Sequence, residues 1–321
     1  MKVRRITPGA VLPGGIVRVE VEGLQGVLEL RAEIGEAEAE FVGASETVLT
    51  LRASQAPAGQ GLLISQGGNR ARAALKVGRV VASELHSVAN PAVDPDGTVY
   101  CTFSGTRGEK VPFCVFAIDA AGVKQPFLAD LMNPTGLAWG PDDHLYISSR
   151  QTGAVYRSSP DKRVEKYVDG LGLATGIAFD SAGNLYVGDR SGTIHRVSPD
   201  RQISAFCELE PSVSAYHLAV APDDTLFVTG PTLSTQDCVY RVQPSGAVEV
   251  YFKGFGRPQG LAFDVRGDLQ VAASFEGKKG IYTLKDGVPE WTISSPMLVG
   301  LAYNSDRSVL YLVDSSHLFA L

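Results

Sequence analysis

The sequence predicts an all-β protein, with a small β-sandwich over residues 1–78 and a six-bladed β-propeller over residues 79–321 closed by an N-terminal strand. Three observations carry this. Composition breaks near residue 78, short strands of period two precede the break, and a motif recurs about every forty residues after it.

The break is sharp. Residues 1–78 contain no Asp, Tyr or Trp, and Phe41 is their one aromatic residue. They carry nine Lys/Arg against eight Glu, whereas the remainder carries 20 basic residues against 27 acidic ones. The net charge of −6 therefore belongs to the second segment. Such a chain lacks the basic field that phosphate backbones require, which argues against a nucleic-acid partner. The apolar runs are too short to span a bilayer. The positive charges near Met1 are followed by no apolar stretch, so no signal peptide is expected. As written the chain reads as cytoplasmic, or as exported if a leader has been removed. The compartment stays open.

In the first segment, residues 16–21, 27–34 and 47–51 alternate apolar and polar side chains. Strict alternation buries one face of a strand and wets the other. Residues 62–65 and 71–75 complete the set. The order of Ile6-Thr7-Pro8-Gly9, Pro13-Gly14-Gly15, Glu22-Gly23, Pro57-Ala58-Gly59 and Gly67-Gly68-Asn69 resembles the IPT/TIG immunoglobulin-like domains. That resemblance implies a spacer or interaction module, and nothing in the segment looks catalytic.

Repeats follow. Thr135-Gly136-Leu137-Ala138-Trp139, Thr175-Gly176-Ile177-Ala178-Phe179, Gln259-Gly260-Leu261-Ala262-Phe263 and Val299-Gly300-Leu301-Ala302-Tyr303 share one pattern. Tyr216-His217-Leu218-Ala219-Val220 places His at the glycine position, and Ala89-Asn90-Pro91-Ala92-Val93 places Asn there. Each repeat supplies four short strands, for example residues 176–179, 184–188, 192–197 and 203–207. Four strands per repeat of this length is a propeller blade. The last repeat lacks a fourth strand, and residues 79–85 are expected to supply it and close the ring.

The pattern Asn133-Pro134-Thr135-Gly136-Leu137-Ala138-Trp139…Leu145-Tyr146-Ile147 resembles NHL repeats and the related SMP-30/gluconolactonase propellers. The resemblance implies a channel-mouth site and, in the lactonases, a divalent cation held by a Glu, an Asn and an Asp. The matching positions here are Ala89, Thr135 and Gln259, none of them a carboxylate. Asn90 and Asn133 lie one or two positions away and would return a donor if the register slipped. The expectation is thus no metal ligand and no cofactor, with Ca²⁺ as the minor alternative.

Alignment nominates Thr135, Thr175, Tyr216, His217 and Gln259 as channel-lining ligand contacts. Arg150, Asp189 and Arg190 are nominated from the ends of second strands, with Arg107 in a nearby loop. His217 is the one candidate for a general base. The opposing readings are a space-filling His217, an Arg190 paired with Asp189, and solvated arginines. Cys101, Cys114, Cys207 and Cys238 show no metal spacing, and a Cys101–Cys114 bridge across one hairpin stays open. The functional expectation is a non-catalytic binding protein whose propeller face recognises a polar small molecule, a glycan or a protein. The alternative is a gluconolactonase-like hydrolase or lyase acting at the channel.

Overall fold

The computed structural model describes residues 1–321 except Arg107. Every regular element among the described residues is a β-strand.

Residues 1–78 form two four-stranded sheets plus two short strands that reach beyond them. One sheet runs Lys2–Thr7, Ile16–Glu22, Val48–Arg52, Glu40–Ala44, and the other Ala37–Glu38, Leu30–Ile34, Leu62–Gln66, Asn69–Ala73. Alternation does what the sequence predicts: Val17, Val19 and Val21 point inward while Arg18 faces solvent. They meet Ala32, Ile34, Leu62 and Ile64 of the other sheet in one core. Each fully buried aliphatic side chain there contributes roughly 1.5–3 kcal/mol. One predicted strand is shorter than expected. It starts at Leu30, because Glu29 adopts φ 57° and Val27 and Leu28 lie in an exposed loop.

Residues 79–320 form a ring of six sheets. Blades 1 to 4 span residues 92–128, 134–168, 174–208 and 217–255, each with four strands. Blade 5 spans 261–294 and blade 6 spans 300–320. Arg79–Ala82 pairs antiparallel with Leu318–Ala320 and supplies the outer strand of blade 6, as the repeat count predicts. The inner strands touch in order round the ring, and the last touches the first. This is a β-propeller.

The repeat glycines explain the ring's tightness. A Cβ on Gly136 would run into the Thr175 carbonyl and the Gly176 backbone, and one on Gly300 into Ala89 and Asn90. Inner strands of neighbouring blades approach so closely that the position excludes a side chain aimed at its neighbour.

The front segment is stitched to blade 5. Ala10–Val11 pairs in parallel with the outer strand Val288–Ser294, and Lys76–Val77 pairs with Ala10–Val11. Leu12 N donates to Ser294 O at 2.8 Å, and Leu12 is wholly buried among Ile281, Ile293 and Leu298. An exposed sheet edge is thereby covered.

The four cysteines are free thiols, so the Cys101–Cys114 bridge left open above is not formed. Burial pushes the Cys101 thiol up to about 12, which leaves it inert.

Candidate functional site

The channel mouth is a cavity of about 400 Å³ on the face formed by the loops entering the inner strands and those leaving the second strands. Thr135, Arg150, Thr175, Arg190 and Gln259 line it, as nominated from the repeats. The two threonine hydroxyls are held inward. Thr135 Oγ1 donates to Asn133 O at 3.3 Å, and Thr175 Oγ1 donates to Gly188 O at 2.8 Å. Gln259 points its side-chain oxygen at His217, which leaves its amide nitrogen for the cavity.

Three nominated residues do not reach this cavity. Tyr216 is 1% exposed and packs into the core beside Tyr186 and Leu218. Its ring lies over Gly188 and Gly230, where a Cβ would strike it, and its hydroxyl donates to the Glu210 carbonyl. Ala215 lines the mouth in its place. Asp189 is a fastening residue rather than a ligand contact. Its carboxylate accepts from Leu173 N at 2.8 Å and from the backbone and hydroxyl of Ser191. Arg190 does not use Asp189 as its partner; it donates to Val213 O at 2.6 Å and to Ser212 O at 3.4 Å. Those bonds hold its guanidinium against the mouth. Arg150 reaches Gly105 O at 3.4 Å, and Arg107 lies outside the described residues.

His217 sits beneath the cavity floor, 1% exposed. Its Nε2 lies 3.0 Å from Gln259 Oε1, and its Nδ1 is buried without a partner. Taking Gln259 Oε1 as the acceptor makes Nε2 the protonated nitrogen. Burial pulls the imidazole down to about 4, partly opposed by the Gln259 bond. It is therefore neutral at physiological pH but sealed from the mouth. The structure thus places His217, the candidate general base, outside the lining of the mouth. Together with Asn90, it fills the axis where the other blades have glycine. Asn90 Nδ2 donates to Leu261 O at 3.1 Å and its Oδ1 accepts from Leu301 N at 3.2 Å.

Sequence reasoning missed His86, Ser87, Val88 and Ser315, which also line the mouth. The first three lie in the loop entering blade 1, upstream of the one position used for alignment. Ser315 occupies the repeat position of Arg150 and Arg190, and that equivalence was the available signal.

Among the described residues the lining holds two arginines, one histidine and no carboxylate. At the cation positions implied by the lactonase resemblance, Ala89 is a buried methyl, the Thr135 hydroxyl is engaged, and the Gln259 oxygen faces His217. Asn133 is also spent, since its amide clamps Ser104, Thr106 and Gly108. Among the described residues no group of three or more His, Cys, Asp or Glu gathers as metal donors. The residues do not fit a divalent cation, which needs several anionic or carbonyl oxygens.

Several solved structures share this architecture. A gluconolactonase from Xanthomonas campestris matches with TM-score 0.64 and 17% identity, covering 75% of this chain and 87% of that one. An auxiliary nutrient binding protein from Bacteroides thetaiotaomicron matches with TM-score 0.57 and 11% identity, covering 100% of this chain and 97% of that one. Virginiamycin B lyase from Staphylococcus aureus matches with TM-score 0.53 and 14% identity, covering 95% of this chain and 98% of that one. The shared feature is the propeller fold. At these identities the likeness extends to fold alone. No protein-family model matches the sequence, and no curated protein matches it. No helix among the described residues is long and apolar enough to cross a membrane.

Proposed function

We propose that this chain is a non-catalytic binding protein whose channel mouth receives a small polar molecule bearing an anionic group. One observation carries the reading: two arginines converge on a cavity of about 400 Å³ that no carboxylate lines among the described residues, on a protein of net charge −6. Such a local cationic field on an acidic surface selects anions. A guanidinium also matches a carboxylate or phosphate with paired donors. Gln259 adds a neutral polar contact through its amide nitrogen. Two propeller families among the structural neighbours bear on the choice, one named for nutrient binding and one for lactone hydrolysis. The binding reading is preferred because the mouth fits no divalent cation and His217 lies below its floor, which leaves His86, packed edge-on against Phe103, as the one imidazole among the described lining residues.

In this reading residues 1–78 are an IPT/TIG-like immunoglobulin domain that spaces or orients an NHL-like propeller of residues 79–321. Calorimetry of the full chain with gluconate and with glucose tests the proposal. Binding of gluconate that weakens in Arg150→Ala is expected. Turnover of δ-gluconolactone that requires Ca²⁺ and is lost with a chelator would overturn it in favour of the hydrolase.

A further inference from the structure

The face opposite the channel mouth carries cavities of its own. In blades 1, 2 and 3 the second residue of the second strand is a tyrosine whose hydroxyl donates to an aspartate in the preceding turn. The pairs are Tyr100–Asp94 at 3.1 Å, Tyr146–Asp142 at 3.0 Å and Tyr186–Asp180 at 3.2 Å. Blades 4 and 5 break this latch, with Phe227 and Gln270 in the tyrosine's place.

The aspartates remain. Asp264 Oδ1 still accepts from Arg266 N and Asp268 N at 2.9 Å each, as Asp94 and Asp180 do in their turns. Asp223 Oδ1 likewise accepts from Thr225 N at 3.1 Å. What both have lost is the tyrosine hydroxyl on the second carboxylate oxygen. A cavity of about 420 Å³ opens beside Asp223 and Phe227, and one of about 490 Å³ beside Asp264 and Gln270. The two share the lining residue Asp268 and so adjoin as two lobes. The second lobe reaches Lys76 and Ala10 of the front segment, so part of its wall depends on that segment being docked on blade 5.

We propose that these adjoining lobes bind a neutral saccharide whose hydroxyls take the place of the two missing tyrosine hydroxyls. A sugar hydroxyl donates to a carboxylate as the tyrosine does, and its lone pairs accept from neighbouring donors. Those donors are present. They are Lys76, Arg266, Lys285 and Arg307, which line the second lobe, whereas Gln270, 8% exposed, is already engaged, its Oε1 accepting from Tyr303 at 2.8 Å and its Nε2 donating to Thr283 at 3.4 Å. The lobes together hold five carboxylates and five Lys/Arg side chains, a balance that favours a neutral ligand and contrasts with the cationic channel mouth.

Saturation-transfer NMR on the full chain with cellobiose, maltose, lactose and chitobiose tests this. At least one gives transfer at about 10 mM, a range suited to millimolar affinity. Gln270→Tyr and Phe227→Tyr restore the latch seen in the other blades, so each should reduce that binding tenfold or more. Arg150→Ala should leave it unchanged. Asp264→Asn, which keeps an acceptor but removes charge, serves if either tyrosine variant fails to fold, and weakened binding is again expected. No transfer from any of the four sugars overturns the proposal. So does transfer that survives both tyrosine variants, or transfer that is lost in Arg150→Ala and thus belongs to the channel.

Discussion

His217 Nε2 lies 3.0 Å from Gln259 Oε1, across the gap between the inner strands of blades 4 and 5, while its Nδ1 is buried with no partner. The pair couples the channel floor to its wall: a residue that lines the mouth is oriented by one that cannot reach it.

That pair predicts an acid-sensitive fold. Burial lowers the His217 imidazole from its ordinary 6.5 to about 4. Above 6.5 the ring is neutral folded and unfolded, so no stability is lost. Between 6.5 and 4 the unfolded chain takes a proton that the folded chain refuses, and stability falls as pH falls. The loss is on the order of a few kcal/mol. Denaturant titrations at pH 7 and pH 5 are expected to show it, and His217→Gln should flatten the difference. An equal slope in both proteins would rule out His217 as its source.

Asn90 is expected to tolerate neither shortening nor loss of its amide. Its side chain answers a carbonyl on blade 5 and an amide N–H on blade 6. Asn90→Ala leaves both unpaired near the axis, at a cost of about 1–3 kcal/mol. Urea midpoints for the variant should fall accordingly. Because Asn90 lies under the floor, gluconate affinity at matched stability should change little.

Leu12 is the buried pin between the front segment and blades 5 and 6. Leu12→Ala should cost about 2–5 kcal/mol by transfer and cavity formation. Hydrogen exchange is expected to rise first along Ala10–Val11 and Val288–Ser294, the parallel pair that the pin supports. Protection there equal to that of the parent protein would contradict this.

Arg190 serves both the mouth and the fold. Arg190 is braced by the carbonyls of Ser212 and Val213, so Arg190→Ala should lower both anion affinity and melting temperature. Arg190→Lys keeps the charge but cannot reproduce the two directions of donation, and should recover only part of either. A melting scan with gluconate titrations on both variants separates these effects.

Much of the architecture was legible because it repeats. The glycine position, the four strands per repeat and the unpaired last blade are each visible along the chain, and Arg79–Ala82 closes the ring where the count requires it. The candidate site was legible in part, for the same reason. Thr135, Thr175 and Gln259 share one repeat position, and Arg150 and Arg190 share another. Tyr216 failed because alignment fixes a backbone position and not the direction of a side chain. The room left by Gly188 and Gly230 turns the ring into the core. Asp189 is drawn away from the lining by the Leu173 amide of the loop entering its blade and by the amide and hydroxyl of Ser191 in its own turn, and the first of these carries no residue code.

Residue order alone was enough for the propeller, since hydrophobic period, turn chemistry and repeat length are local properties written in each blade. Three features depend on contacts between residues far apart in the chain: the seam at Leu12 and Ser294, the axis plugged by Asn90 and His217, and the charge of each cavity. They are set by which blades and loops pack together, and no local pattern encodes that packing.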